Sequence, residues 1–559
     1  MSRERFALAA AAVGVAGGLA LTFPLPLQLG RAVLEDGSYD AFQFLWNVWW
    51  VRESLVALRT NPFYTRYLFY PEGVPLLFHT FSFALGLASV PLQLTFGLVA
   101  AHNLLVIAAP ALSVLFAALL AREVVDDPWA ALTAGLVAAV NPIAVWFLPV
   151  LYLNCGWLIA AVLWAWWRMQ RLRRTRDVAA ALGLLVALVF ASQEFAMIAL
   201  ALVALDVVLR LVAPRLFGLE RPWARGTLAF WGLAGGGLGA LAAAALAAPA
   251  APPPPSHVMV ASGYVSGLLS PPWLAPPPAR FWTILYLGTV PLLLALAALV
   301  RPQRRLAVWL LSFLLPTAMA LGPYLHLHNP FPDLRLPPGG PKAEGVPGPY
   351  LLVARWLPLV RFFRAPYRWI VGAQVALAVV SALGLAGLRA AIVRPGTRAA
   401  ATALALTLVV AGGALDTRGL RAPLASAAIP AAYDGVRADP DPAAILELPS
   451  GLVAGTFAAF TSRWMYYQTA HRKFLLEGTV SRLPPGRRLV IGLEITDFAS
   501  LPWVKYVAIH RDALPAALPA ARAQAERVEA VARTQGELVA ADGELAIYRL
   551  RTFRREAVL

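Results

Sequence analysis

The chain has 559 residues and a formal net charge of +17, yet only 14% of its residues are charged and 59% are hydrophobic. Apolar stretches of about 20 residues, the length that crosses a hydrocarbon core, recur along it; this excludes a string of ordinary soluble domains and predicts a polytopic membrane protein. Most arginines fall in short clusters between apolar stretches, so topology accounts for the positive charge without a nucleic-acid partner. The single cysteine, Cys155, excludes an internal disulfide and a cysteine-based metal cluster.

The first apolar stretch, Phe6 to about Leu27, follows a basic start and no small-residue cleavage site closes it. It reads as an uncleaved anchor with its N-terminus in the cytoplasm. A polar and aromatic loop, 28–80, comes next, then apolar segments near 82–99, 102–121, 130–149 and 151–167, and an arginine cluster at 168–176. Further apolar segments lie near 178–192, 195–212, 228–248, 283–300, 305–322, 367–388 and 399–415. Arginine clusters at 210–225, 301–305 and 389–398 alternate with arginine-poor connections and fall on the same side as 168–176. Four apolar segments between an outer first loop and an inner 168–176 have the wrong parity, so one does not cross; Asn141-Pro142 and Pro149 mark 141–157 as that broken piece. The expectation is a membrane domain over 1–415 with about eleven crossings.

From about Asp416 the pattern changes. "AAILELPS" (443–450) and "WVKYVAIH" (503–510) read as strands, 515–533 as an amphipathic helix, and 536–550 as a hairpin turned at Asp542-Gly543. Residues 416–559 are therefore expected to form a small extracytoplasmic α/β domain after an all-α polytopic membrane domain. The Ala, Arg and Pro bias points to a GC-rich bacterial genome and hence to an inner (plasma) membrane. No internal repeat, Walker A loop, GxSxG or HExxH motif is present.

The polar features that carry chemistry cluster on the outer side. In "EDGSYDAFQFLWNVWW" (35–50) a helix from about Tyr39 to Arg59 places Asp40, Gln43, Asn47 and Ser54 on one stripe among aromatic residues. Such a helix would lie in the membrane interface, with its aromatics at headgroup level and its polar stripe on a wet cleft. The plain reading is that Asp36, Ser38 and Asp40 cap the helix, which is worth about 0.3–1 kcal/mol for a carboxylate. "RFFRAPYRW" (361–369) puts Arg361, Arg364 and Arg368 on the arginine-poor side, at a helix start marked by Pro366, a combination that suits a phosphate; contact with lipid phosphates is the plain alternative. "FYPEGVPLLFH" (69–79) holds Glu72 and His79 at a turn, with Tyr64, Tyr67 and Tyr70 offering ring faces of the kind that bind sugars. Glu194 is expected at an outer turn facing the same side as Asp40, whereas Asp206 and Arg210 are one helical turn apart and read as a structural ion pair. His326 and His328 form a His-x-His pair without a placed carboxylate, which is weak evidence for a metal, so no metal ligand is assigned.

Taken together, "EDGSYDAFQFLWNVWW", "FYPEGVPLL", "FFRAPYRW" and "YYQTAHRKFLLEGTVSR" (466–482) resemble segments of bacterial GT-C-like membrane proteins. The GT-C superfamily includes protein O-mannosyltransferases and lipid A aminoarabinose transferases. The resemblance implies a polytopic glycosyltransferase that takes sugar from a polyprenyl-phosphate donor at the outer leaflet and passes it to a glycan, lipid or protein acceptor. It implies that an aspartate of the first outer loop is the general base; Asp40 matches best and Asp36 second, with Arg361, Arg364 and Arg368 toward the phosphate. It leaves a divalent cation open, and it gives 466–482 no role. A transporter or flippase for a polyprenyl-linked lipid, or a non-catalytic lipid-handling protein, would also want outer arginines beside a polar cleft.

Overall fold

The computed structural model describes residues 1–37, 40–247, 258, 261–274, 285–328, 346–357, 360, 363, 365–450, 460–481, 495–517 and 519–558. Helix α1 (Arg3–Thr22) leads through strand β1 (Ala32–Leu34) into α2 (Asp40–Arg52) and a small hairpin, β2 (Tyr64–Thr65) and β3 (Val74–Pro75). Then come α3 (Phe83–Phe96), α4 (Leu98–Val124), α5 (Pro128–Ala139), two short helices α6 (Pro142–Trp146) and α7 (Leu151–Asn154), α8 (Trp157–Leu172), α9 (Thr175–Ala191) and α10 (Gln193–Val212). The bundle is completed by α11 (Ala224–Ala247), α12 (Thr289–Val300), α13 (Leu306–Ala320), α14 (Ile370–Ala391) and α15 (Pro395–Asp416). Among the described residues five helices are long and apolar enough to span a membrane, and four shorter apolar helices accompany them.

The two ends of the bundle differ in charge. At one end Glu123, in the last turn of α4, binds Arg3 (2.7 Å) and Arg171 (2.6 Å), while its carbonyl takes Arg305 (3.1 Å). Asp127, which caps α5, binds Arg389 at 2.5 Å. The starts of α1, α5 and α13 and the ends of α4, α8 and α14 therefore meet there. At the opposite end Asn103, near the start of α4, donates to the carbonyls of Leu29 and Ala32 (2.7 Å each), and Asp416 accepts from the Thr289 amide (2.8 Å).

This arrangement corrects the parity argument. The 141–157 stretch is broken, as Asn141-Pro142 requires, but α5 and α8 on either side of it both reach the Glu123 end. The segment that returns to its own end is α3, which runs from Ser82 to the start of α4. It lies against α2, with Gln93 donating to the Val48 carbonyl (2.7 Å) and Gly86 so close to Val51 that a Cβ would fall 2.6 Å from its Cγ2.

After α15 the chain forms β4 (Leu424–Ser426), β5 (Ala444–Leu448), α16 (Thr461–His471), β6 (Phe474–Leu475), β7 (Val504–His510), α17 (Pro519–Gln535), β8 (Gly536–Ala541) and β9 (Leu545–Leu550). Five of these strands make a mixed sheet in the order β8-β9-β7-β5-β6, parallel at β5–β7 and β5–β6 and antiparallel elsewhere. The hairpin turns at Asp542-Gly543, where Gly543 takes φ +85 and Asp542 accepts from the Leu545 amide at 2.8 Å. Helix α17 buries Ala525, Val528 and Ala532 in the core of the sheet.

The first loop and this C-terminal unit share one core. Strand β1 pairs with β4, Ala32 opposite Ser426. Residues 41–51 of α2 are all buried, and Trp46, Trp49 and Trp50 pack with Trp464, Tyr466 and Ile547. The expected interfacial helix with aromatics at headgroup level is thus replaced by a helix sunk in protein: Trp46 stacks on Trp50 (5.8 Å between rings) and donates to Gln468 Oε1 at 2.7 Å. Burying three indoles between two layers of protein gains more than wetting one side of each.

Candidate functional site

The N-terminus of α2 is capped from upstream. Glu35 follows directly on β1, and its own amide donates to the Pro423 carbonyl at 3.0 Å. Its buried carboxylate accepts the amides of Gly37 (2.9 Å) and Ala41 (3.3 Å), with Gly37 at φ +91 letting the chain fold back. Ser38 lies outside the described residues, and Asp36 and Asp40 are half-buried at the mouth of the helix. Nothing local in the sequence marks Glu35, because its role depends on β1 being pinned by β4.

Gln43 and Asn47, three and seven residues after Asp40, continue the same helical face. Gln43 Nε2 lies 3.0 Å from both His79 Nε2 and Thr80 Oγ1, and Asn47 Nδ2 donates to the Thr80 carbonyl at 2.9 Å. Ser481 closes the group: its amide donates to His79 Nδ1 (3.0 Å) and its hydroxyl to Thr80 Oγ1 (3.2 Å). Three of the expected site residues thus come together, with Thr80 and Ser481 added. The stretch 466–481 also acquires a part, since Gln468 donates to the Tyr67 carbonyl (2.6 Å) and the Tyr466 ring packs on Phe42 (5.5 Å between rings), fastening the first loop. Tyr70 is a buried ring stacked on Phe474 and Tyr67 a half-buried one against it, rather than an open sugar platform. Glu72 is exposed at the tip of the β2–β3 hairpin, apart from this group.

Glu194 and Arg368 find each other. Ser192 caps α10, and Glu194 in its first turn binds Arg368 Nη1 through Oε2 at 2.5 Å, with each side chain 10% exposed. The guanidinium also lies over the rings of Tyr152 (5.9 Å) and Tyr367 (5.8 Å). Arg368 is therefore met by a carboxylate of its own chain. Arg361 and Arg364 lie outside the described residues.

A small, largely aromatic cleft lies between the two groups, lined by Leu77, His79 and Ser82, Gln193 from the start of α10, Tyr152 from α7, and the rings of Phe63, Phe81, Phe83 and Phe190. Gln193 Nε2 donates to the Leu77 carbonyl (2.7 Å) across it. His79, bonded to the polar face of α2, and Tyr152, under the Arg368 guanidinium, thus line the same cleft. His328 lies 3.3 Å from Ser266, and among the described residues no group of three His, Cys, Asp or Glu is placed to hold a metal.

No family model and no curated protein sequence matches the chain. Among solved structures it is similar to the oligosaccharyltransferase AglB of Archaeoglobus fulgidus in complex with an inhibitory peptide and a dolichol-phosphate: 12% identity, TM-score 0.45, 98% of this chain and 74% of that one. It is also similar to ArnT of Cupriavidus metallidurans bound to undecaprenyl phosphate: 12% identity, TM-score 0.44, 98% of both chains. At those values, the roles of individual residues have to come from this chain's own geometry.

Proposed function

We propose that the protein is a GT-C-like membrane glycosyltransferase that moves a sugar from a polyprenyl-phosphate donor to an acceptor hydroxyl on the side that carries the C-terminal sheet. The observation that supports this reading is a small cleft lined by His79, which meets Gln43 of the polar face of α2, and by Tyr152, whose ring lies under the Arg368 guanidinium. Asp40 is the general base and Asp36 stands beside it: the carboxylate takes the acceptor proton as the acceptor oxygen bonds to the anomeric carbon, and the bond to the phosphate oxygen breaks with its electron pair leaving on the phosphate. Cationic donors stabilise that developing charge. With Arg368 matched by Glu194, this task falls on Arg361 and Arg364, while Arg368 fixes the turn that follows them. His79 lines the cleft with Gln43 and Asn47 behind it, and Glu72 would meet the acceptor.

The eleven helices α1, α4, α5 and α8–α15 cross the membrane in this reading. The arginine-rich end is cytoplasmic and the sheet extracytoplasmic, in a bacterial inner membrane. The test is transfer of labelled sugar from a panel of polyprenyl-phosphate sugars by membranes carrying the wild-type chain. Transfer from at least one donor is expected. Binding of the lipid with transfer from none would replace the enzyme by a lipid-handling protein.

A further inference from the structure

Four buried titratable groups under α16 have no part in the proposed transfer. Glu447 of β5, His510 at the end of β7, His471 at the end of α16 and Tyr433 are each at most 3% exposed. Glu447 Oε2 accepts from the Tyr433 hydroxyl at 2.7 Å and lies 2.7 Å from His510 Nε2. Glu447 Oε1 and His471 Nε2 face each other 3.8 Å apart, and neither has a hydrogen-bond partner among the described residues. The Lys473 amide donates to His471 Nδ1 at 3.0 Å. An amide nitrogen has no acceptor to offer, so this ring carries its hydrogen on Nε2 and is neutral while the bond lasts.

The charged groups around the cluster are taken up elsewhere. Lys473 Nζ donates to the Asp439 and Asp441 carbonyls (2.6 Å each), and Lys505 of β7 pairs with both carboxylates (2.7 Å each). On α16 Arg463 faces Asp512 (3.4 Å) and the Tyr467 ring, and just beyond it Arg472 reaches Glu53 (3.4 Å), next to Arg52 at the end of α2. Asp40 stands at the other end of α2, and Asp434 and Arg437, after Tyr433, are exposed. Among the described residues no lysine or arginine lies within ion-pair distance of Glu447, whose ion-pair neighbours are His471 and His510. A buried carboxylate without a cation is costly. The turn after α16 also holds the first loop. Arg472 takes φ +58 and Lys473 leads into β6, where Leu475 donates to the Tyr67 carbonyl (2.9 Å) and accepts from the Tyr70 amide (3.0 Å). Gln468, one turn before His471, reaches the same Tyr67 carbonyl.

We propose that this cluster is an acid-sensitive latch between the first loop and the C-terminal unit. Closed, it is neutral: one proton is shared between Glu447 and His510, and His471 has no added proton. Opened to water between about pH 4.5 and 6.5, both imidazoles are protonated and the carboxylate is not, so opening takes up one proton. That proton, on His471 Nδ1, breaks the bond to Lys473 and frees the turn into β6. Burial, then the Lys473 charge, holds the closed ring down at about 3. Its closed value lies below its open one, so the latch is complete above about 6.5 and weakens as pH falls.

The latch does not depend on the transfer reaction, and amide exchange of the purified full-length chain tests it. Exchange at 468–475 and at Tyr70, divided by the intrinsic rate, should rise about tenfold per pH unit between about pH 6 and 5. Asp439, held down at about 2, is silent in that window. His471→Asn, whose Oδ1 accepts the Lys473 amide but takes no proton, should flatten the profile. Glu447→Gln removes the shared proton from the closed cluster and should steepen it to about a hundredfold per unit. A slope that survives His471→Asn, or one that Glu447→Gln leaves unchanged, overturns the proposal. If one variant fails to fold the other decides, and a flat wild-type profile overturns the proposal without either.

Discussion

Helix α10 carries a buried carboxylate–arginine pair at each end, and the two are built differently. At its C-terminal end Asp206 and Arg210 are one turn apart and meet at 2.7 Å; Trp166 Nε1 donates to the same carboxylate oxygen, and Arg210 also reaches the Glu220 carbonyl. At its N-terminal end Glu194 meets an arginine 174 residues away in the sequence, on the turn that opens α14. The first pair is set by spacing within one helix. The second joins the start of α10 to the turn that opens α14.

That contrast sets the order of expected effects. Arg368→Met should cost most, about 3–5 kcal/mol of stability, because it leaves Glu194 buried without its cation. The double variant Arg368→Met with Glu194→Leu should recover much of the loss in a thermal melt. Asp206→Asn should cost less, about 1–3 kcal/mol, because Arg210 keeps the Glu220 carbonyl and can extend to the helix end. Equal costs for Arg368→Met and Asp206→Asn would erase the distinction. Glu35→Ala should cost about 0.5–2 kcal/mol through the lost cap, with faster hydrogen exchange confined to the first turn of α2.

The smallest effect lies in the C-terminal sheet. Burial of Asp439 opposes its charge, but hydrogen bonds from Lys505 and Tyr506, with the Lys473 charge nearby, outweigh it and hold the carboxyl down at about 2. Its folded pKa lies below the unfolded one, so its contribution is complete above the ordinary value near 4 and is lost as pH falls toward 2. Exchange at β7 should quicken over that window in the wild-type chain and less in Asp439→Asn.

Local features were legible in the sequence. The strands at 444–448 and 504–510 announced themselves by β-branched and apolar runs, the hairpin by Asp542-Gly543, and the Asp206–Arg210 pair by its spacing. The shared stripe of Asp40, Gln43 and Asn47 was legible too, but not what it meets. Its partners at 79–80 and 481 arrive only when the first loop docks on the C-terminal unit, as Trp46 does on Gln468, 422 residues on. For the same reason an aromatic-rich helix read as a membrane-surface element when its covering layer is protein. Glu35 and the Glu194–Arg368 pair were invisible as partners because both depend on contacts set by tertiary pairing.

The central claim is that the acidic mouth of α2 does chemistry while Glu35 does the capping. The most direct measurement is sugar transfer by Asp40→Asn at matched protein level, with donor-lipid binding measured alongside. The account predicts a fall in transfer of about 10²–10⁴-fold with lipid binding retained. Transfer at the wild-type rate would contradict it and remove Asp40 from the reaction.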